Sequence, residues 1–230
     1  MSIIYKVVIV IFLIIFSISV NAHVQHYADL NRIEFDIYRN NKHIGKHIFS
    51  FDKSDGQLAV NSEINFEIKK LGIVLYKYHV KGTEIYEGEK LIKFNSKTNQ
   101  NGKEKYVNLK LDNEQYVIDG SSYKGIAPVD YLLGTWWNHG IVKAKAQISA
   151  VSGRIIKQKV TFLGKETIQF GDKSFNTLHF NFSSTDKKLA KDKKLNTDVW
   201  YDEKTLNWVK ATFEKKGQWE YRLILINLNN

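Results

Sequence analysis

The chain has 230 residues, of which 43% are hydrophobic, 13% aromatic and 25% charged, a globular composition too rich in aromatics for a disordered chain. It has no cysteine, which excludes a disulfide framework, a thiolate zinc site and a thiol nucleophile. A formal net charge of +10 fits acidic partners, although the lysines are dispersed, apart from one run, and the arginines are few.

The N-terminus carries an export pattern. Lys6 precedes the almost wholly apolar stretch 7–20, VVIVIFLIIFSISV, and Val20-Asn21-Ala22 supplies the small residues of a cleavage site. A basic n-region, an apolar h-region of about 7–15 residues and a small-x-Ala end define a secretory signal. A spanning helix needs about 20 apolar residues, so residues 1–22 are expected to be removed after Ala22. Residues 23–230 then form a single periplasmic domain.

From there the chain reads as β-strands. In 58–68 the even positions are mostly apolar and the odd ones mostly polar, and Val74, Tyr76, Tyr78 and Val80 alternate with Leu75, Lys77, His79 and Lys81. Trp219, Tyr221, Leu223 and Leu225 repeat the pattern near the C-terminus, where both faces turn apolar and predict a central or covered strand. Turn dipeptides punctuate these runs: Asn40-Asn41, Asp55-Gly56, Glu87-Gly88, Asn101-Gly102, Asp112-Asn113, Gly171-Asp172 and Lys216-Gly217. About a dozen strands at hairpin spacing predict an all-β, large antiparallel meander curled into a half-barrel or β-roll. Two segments break the pattern. Pro128, the only proline, opens a predicted short helix over 128–137, and 187–194 is a lysine-rich run expected to be a mobile surface loop.

Several stretches carry a family resemblance: the hairpin Phe35–Gly45, then Val160–Ile168, Gly171–Phe180, Asp198–Asp202 and Leu206–Phe213. In this order and spacing the chain resembles a group of exported bacterial proteins known only as the domains of unknown function 6134 and 3108. The resemblance covers most of the chain after the signal. It implies a periplasmic β-rich fold similar to the curved half-barrels of lipoprotein carriers, and it implies no activity and no catalytic residues.

Tested for chemistry, most residues give little. His43 and His47 would lie about 13 Å apart along one strand, too far to share a metal, and His79 and His179 sit within alternating strands. After cleavage, His23 would combine an imidazole with a free α-amine, a pair able to bind copper with a second histidine such as His26. Ser-x-x-Lys occurs three times, at Ser50, Ser121 and Ser184, without the helix start that would aim the lysine. No catalytic residue, metal ligand or cofactor is therefore assigned. The aromatic segment Tyr131, Trp136, Trp137 is the candidate ligand-binding site, because adjacent tryptophans cannot both enter one core; the same segment could instead plug an open end of the sheet. The expected function is non-catalytic binding of a lipid or other apolar or amphipathic ligand. An envelope scaffold holding a cell-envelope protein and a copper enzyme at His23 stay open as alternatives. Contact with an anionic membrane surface is expected to be weak, and nucleic acid is not expected as a partner.

Overall fold

A computed structural model describes Tyr27 and residues 29–229. The expected signal segment and both His23 and His26 lie outside these residues. Fifteen strands follow in chain order: β1 (Leu30–Arg39), β2 (Lys42–Ser54), β3 (Gln57–Lys70), β4 (Ile73–Glu87), β5 (Lys90–Gln100), β6 (Lys103–Asp112), β7 (Gln115–Gly120), β8 (Lys124–Pro128), β9 (Leu132–Leu133), β10 (Ala146–Ile148), β11 (Ile155–Phe170), β12 (Lys173–Ser184), β13 (Asn196–Asp202), β14 (Trp208–Glu214) and β15 (Gln218–Leu228). They form one sheet in the order β8-β7-β6-β5-β4-β3-β2-β1-β15-β14-β13-β12-β11-β10-β9. Every neighbouring pair is antiparallel except β9 and β10.

The fold is thus the expected antiparallel meander, and its ladder does not close into a barrel. The two edge strands, β8 and β9, are nevertheless consecutive in the chain and separated only by residues 129–131. A sheet whose opposite edges are that close must curl. The backbone N–H of Ser122, after β7, donates to the Ser152 carbonyl, after β10, at 2.9 Å, and so draws the two flanks together. One core runs through the curl, with Phe35, Ile37, Phe49, Phe94, Trp137, Phe182, Tyr201 and Trp208 among its fully buried side chains.

The turn dipeptides act as their chemistry predicts. Asn40 and Asn41, Asp55 and Gly56, and Asn101 and Gly102 all take positive φ, the conformation a tight two-residue hairpin requires. β15 lies between β1 and β14 and is central, as its two apolar faces indicate.

The helix expected over 128–137 is not present. Pro128 ends β8, opposite Gln115. Leu132 and Leu133 pair in parallel with Gln147 and Ile148 instead of winding. Trp136 has φ of +62°, which a right-handed helix cannot contain, and its carbonyl accepts a hydrogen bond from the Tyr201 hydroxyl at 3.0 Å. Helical geometry begins only in a 3-10 turn, His139–Lys143, where the Asn138 side chain caps the Gly140 N–H.

Candidate functional site

A meander places alternate turns at opposite ends. One end holds the turns near 40, 71, 101, 122, 150, 190 and 216; the other holds those near 55, 88, 113, 129, 171 and 205. Among the described residues the turn segments of the first end (39–42, 69–74, 100–105, 120–124, 149–155, 185–195 and 214–218) carry fifteen Lys and Arg in sequence against four Asp and Glu. Those of the other end (54–57, 87–90, 112–115, 128–131, 170–173 and 202–208) carry nine Asp and Glu against three Lys. The molecule therefore has a basic end and an acidic end. At the basic end Lys105 is crowded: partial burial, then the charges of Lys103, Lys215 and Arg154, push its ammonium below the ordinary value.

The acidic end is plugged. Trp137, 0% exposed, is boxed edge-on by Tyr27, Phe51 and Tyr86 at ring separations of 5.2, 5.4 and 5.7 Å. Its indole N–H donates to Glu84 Oε1 at 3.0 Å, and the Tyr86 hydroxyl donates to Glu84 Oε2 at 2.6 Å. Burial pushes the Glu84 carboxyl above the usual carboxylate range, against the lowering effect of those two bonds. The Tyr27 hydroxyl donates to the Leu206 carbonyl at 3.0 Å and accepts the His139 N–H at 2.9 Å, tying this plug to the rim.

Trp136 turns the other way. Its positive φ aims the ring into the middle of the curl, edge-on to Trp208 at 5.6 Å and to Tyr221 at 6.2 Å. Although surrounded by core rings it is only partly buried, and its Nε1 is enclosed without a hydrogen-bond partner. From there the rings continue toward the basic end: Tyr221 to Phe213 at 6.3 Å, Phe213 stacked on Trp219 at 5.7 Å, Trp219 to Phe66 at 5.2 Å, and Phe66 stacked on Tyr78 at 4.8 Å. Phe213, Trp219, Tyr76 and Tyr78 keep part of their surface, so this lane is less closed than the plugged end. At its rim the Arg39 guanidinium lies 5.8 Å from the Trp219 ring centre, and the Trp219 N–H donates to the Lys215 carbonyl at 2.9 Å. Two further buried nitrogens near its inner end, His47 Nδ1 and Trp208 Nε1, also lack partners, and His47 and Trp208 both lie about 6 Å from the Tyr221 ring (6.0 and 5.6 Å).

Of the three residues singled out from sequence, Trp136 stands at the head of this lane, Trp137 forms the plug behind it, and the half-buried Tyr131 lies on the link between the sheet edges. Sequence reasoning missed Phe213 and Trp208, while Phe66 belongs to the apolar parity of 58–68. Tyr78, Trp219 and Tyr221 were visible as the inward-facing parity of alternating strands, but parity does not say that strands far apart in sequence bring their rings together.

Two other clusters are polar. On the outer face of β4–β6 a shallow cavity of about 620 Å³ is lined by His79, Thr83, Asn95, Tyr106 and Asn108. Its groups are largely matched already: Asn95 donates to Asn108 at 2.7 Å, Thr83 to Asn61 at 2.7 Å and Tyr106 to Asp119 at 3.1 Å. On β11–β13 the ring of His179 lies between Glu166 at 3.0 Å and Asp198 at 3.6 Å and stacks on Trp200 at 4.0 Å, a cross-strand polar cluster.

Among curated proteins none matches this chain. Among solved structures, the β-barrel-like protein of the domain of unknown function DUF1849 from Brucella abortus is similar, with a TM-score of 0.61 at 11% identity over 88% of this chain and 98% of that one. At that identity the likeness concerns the fold. A Bacteroides fragilis protein with a YmcC-like fold aligns at a TM-score of 0.36 and 9% identity, over 86% of this chain and 99% of that one. The model of the domain of unknown function DUF6134 matches residues 35–224, and the chain belongs to that family.

Proposed function

We propose that the protein is a non-catalytic binder of an amphipathic molecule with an apolar chain and an anionic end, working in the periplasm after removal of residues 1–22. The carrying observation is the aromatic lane from Trp136 to Tyr78, half-buried at its rim and enclosed by lysine-rich turns. An apolar chain would lie along Trp136, Phe213 and Trp219, with Trp137 as the floor and Tyr131 on the flank. The unpaired Trp136 N–H supplies a donor for a carbonyl or ester group, since a buried N–H left without a partner costs about 1–3 kcal/mol that a ligand can recover. The anionic end would meet the lysines of the basic rim. The export pattern of residues 1–22 supports the location, and the lane's lining of aromatic rings supports binding of an apolar chain.

The test is titration with the fluorescent fatty acid cis-parinarate, followed by energy transfer from tryptophan. Saturable binding is expected, weakened at least about tenfold, or 1.4 kcal/mol, in Trp136→Ala/Trp219→Ala with the far-ultraviolet circular dichroism unchanged. Native mass spectrometry of gently purified protein should show a co-purified mass that denaturation removes. Equal affinity in the double variant, or no saturable uptake by the wild type, would refute the proposal.

A further inference from the structure

The β3–β4 hairpin outruns its neighbours. Pairing of β3 with β2 stops at Gly45 opposite Phe66, and pairing of β4 with β5 stops at Tyr78 opposite Gln100. At the next level Lys77, opposite Glu67, is still tied to the neighbouring turn, its carbonyl accepting the Asn101 N–H at 2.8 Å. Beyond it the ladder pairs of β3 and β4 are the hairpin's own, Ile68 with Tyr76, Lys69 with Val74 and Lys70 with Ile73. The three residues 68–70 and the strand opposite them make a two-stranded finger reaching about 10 Å past the last bond to the neighbouring turn at the basic end.

Its tip is apolar and bare. Leu71 is 93% exposed, Ile73 66%, Leu75 55% and Val74 36%. Leu71 also takes φ of +50°, in the left-handed region; of the other apolar residues there, Leu206 and Trp136 are both partly buried, and Leu71 alone among the described residues is bare. A leucine there is both strained and solvated, and no contact within the fold compensates. Such an outlier points to something outside the chain.

We propose that this finger docks the protein on an anionic lipid bilayer, with Leu71, Ile73 and Leu75 entering the interface and the lysines behind them meeting the headgroups. Three observations select a bilayer over a folded partner. The tip is convex and projecting, so its occupant must deform around it. The apolar tip is followed by a charged collar, in which Lys69 and Lys77 bracket Glu67 at 3.0 and 3.3 Å while Lys70 stands beside them. The whole end behind it is basic, and juxtamembrane lysines gain from an anionic surface. The unpaired outer edges of the finger limit its depth to the interfacial zone, because backbone groups without partners do not enter hydrocarbon. The inference does not depend on whether the aromatic lane holds a ligand, although both functions share one end of the molecule.

The absence of cysteine gives a clean probe. Leu71→Cys, labelled with the environment-sensitive fluorophore NBD, is compared with the same label at Glu114→Cys in the acidic-end turn, using the full chain. On vesicles of phosphatidylcholine and phosphatidylglycerol the emission at position 71 should brighten and shift to the blue, and that at position 114 should not. The response should fall on pure phosphatidylcholine, in high salt, and when Ile73→Ser/Leu75→Ser is added. A response at neither position, an equal response at both, or a response indifferent to the Ser substitutions or to lipid charge would overturn the proposal. A concentration-dependent shift without vesicles would assign the tip to a second copy of the chain and would overturn it as well.

Discussion

His47 is an imidazole among aromatic rings. It is 5% exposed, 4.2 Å from the Phe49 ring and 5.9 Å from that of Trp208, and burial pushes its pKa down to about 3. The folded state thus holds it neutral, while the unfolded chain binds a proton near the ordinary value of about 6.5. Between these two values the unfolded state carries more protons, so stability rises with pH and falls on acidification, by up to about 1.4 kcal/mol per pH unit. Chemical denaturation of the wild type should show this loss from about pH 6.5 downward. His47→Phe, which keeps a ring among rings, should flatten that limb; an unchanged slope would mean that other groups govern acid stability. Glu84 is the opposite case, a carboxyl held above its normal range by burial, with both oxygens committed to the Trp137 and Tyr86 donors. Neither residue announces its setting in sequence: His47 lies on the inward parity of β2, where a histidine serves as well as a phenylalanine once it is neutral.

At the scale of the element, alternation and turn chemistry made the strands legible. Asn-Asn, Asp-Gly and Asn-Gly need positive φ, and each sits at a hairpin turn. Leu71-Gly72 escaped because leucine is no turn former, and Leu206, at positive φ in the turn between β13 and β14, escaped for the same reason. The helix over 128–137 was misread because its apolar spacing suits a helix as well as a plug. What decided the matter was parallel pairing of Leu132–Leu133 with Gln147–Ile148, a contact that local sequence does not encode. The candidate site was legible only in part. Trp136 and Trp137 stood out as a pair that must split, but the rings that line the lane come from β3, β4, β14 and β15. Glycine gives an element-scale prediction. A Cβ on Gly45 would come within 2.1 Å of the Asn65 carbonyl oxygen and 2.5 Å of Phe66 Cβ, both on the neighbouring strand. Gly45→Ala should therefore force β2 and β3 apart at the base of the protruding finger. The expected loss is about 1–3 kcal/mol, visible as a lower melting temperature; an unchanged one would mean the strands separate freely there.

At the scale of the molecule, the sheet order is two successive runs joined at their outer ends by residues 129–131 and at their inner ends by β1 on β15. The second joint lies between the two ends of the described chain: the Asn229 N–H donates to the Asp29 carbonyl at 2.7 Å, and Asn31 bonds the Asn229 side chain across 198 positions. Pairing of such distant segments carries the largest loop-closure cost in the fold, and folding slows as contacts become less local. The order of the chain and the order of the sheet are therefore separable. A circular permutant that links Tyr27 to Asn229 through a short flexible bridge and opens between Val129 and Asp130 would turn β15–β1 into an ordinary hairpin. It should reach the same near-ultraviolet circular dichroism and refold faster than the parent; slower refolding would show that the 129–131 link, and not the meeting of the ends, nucleates the curl.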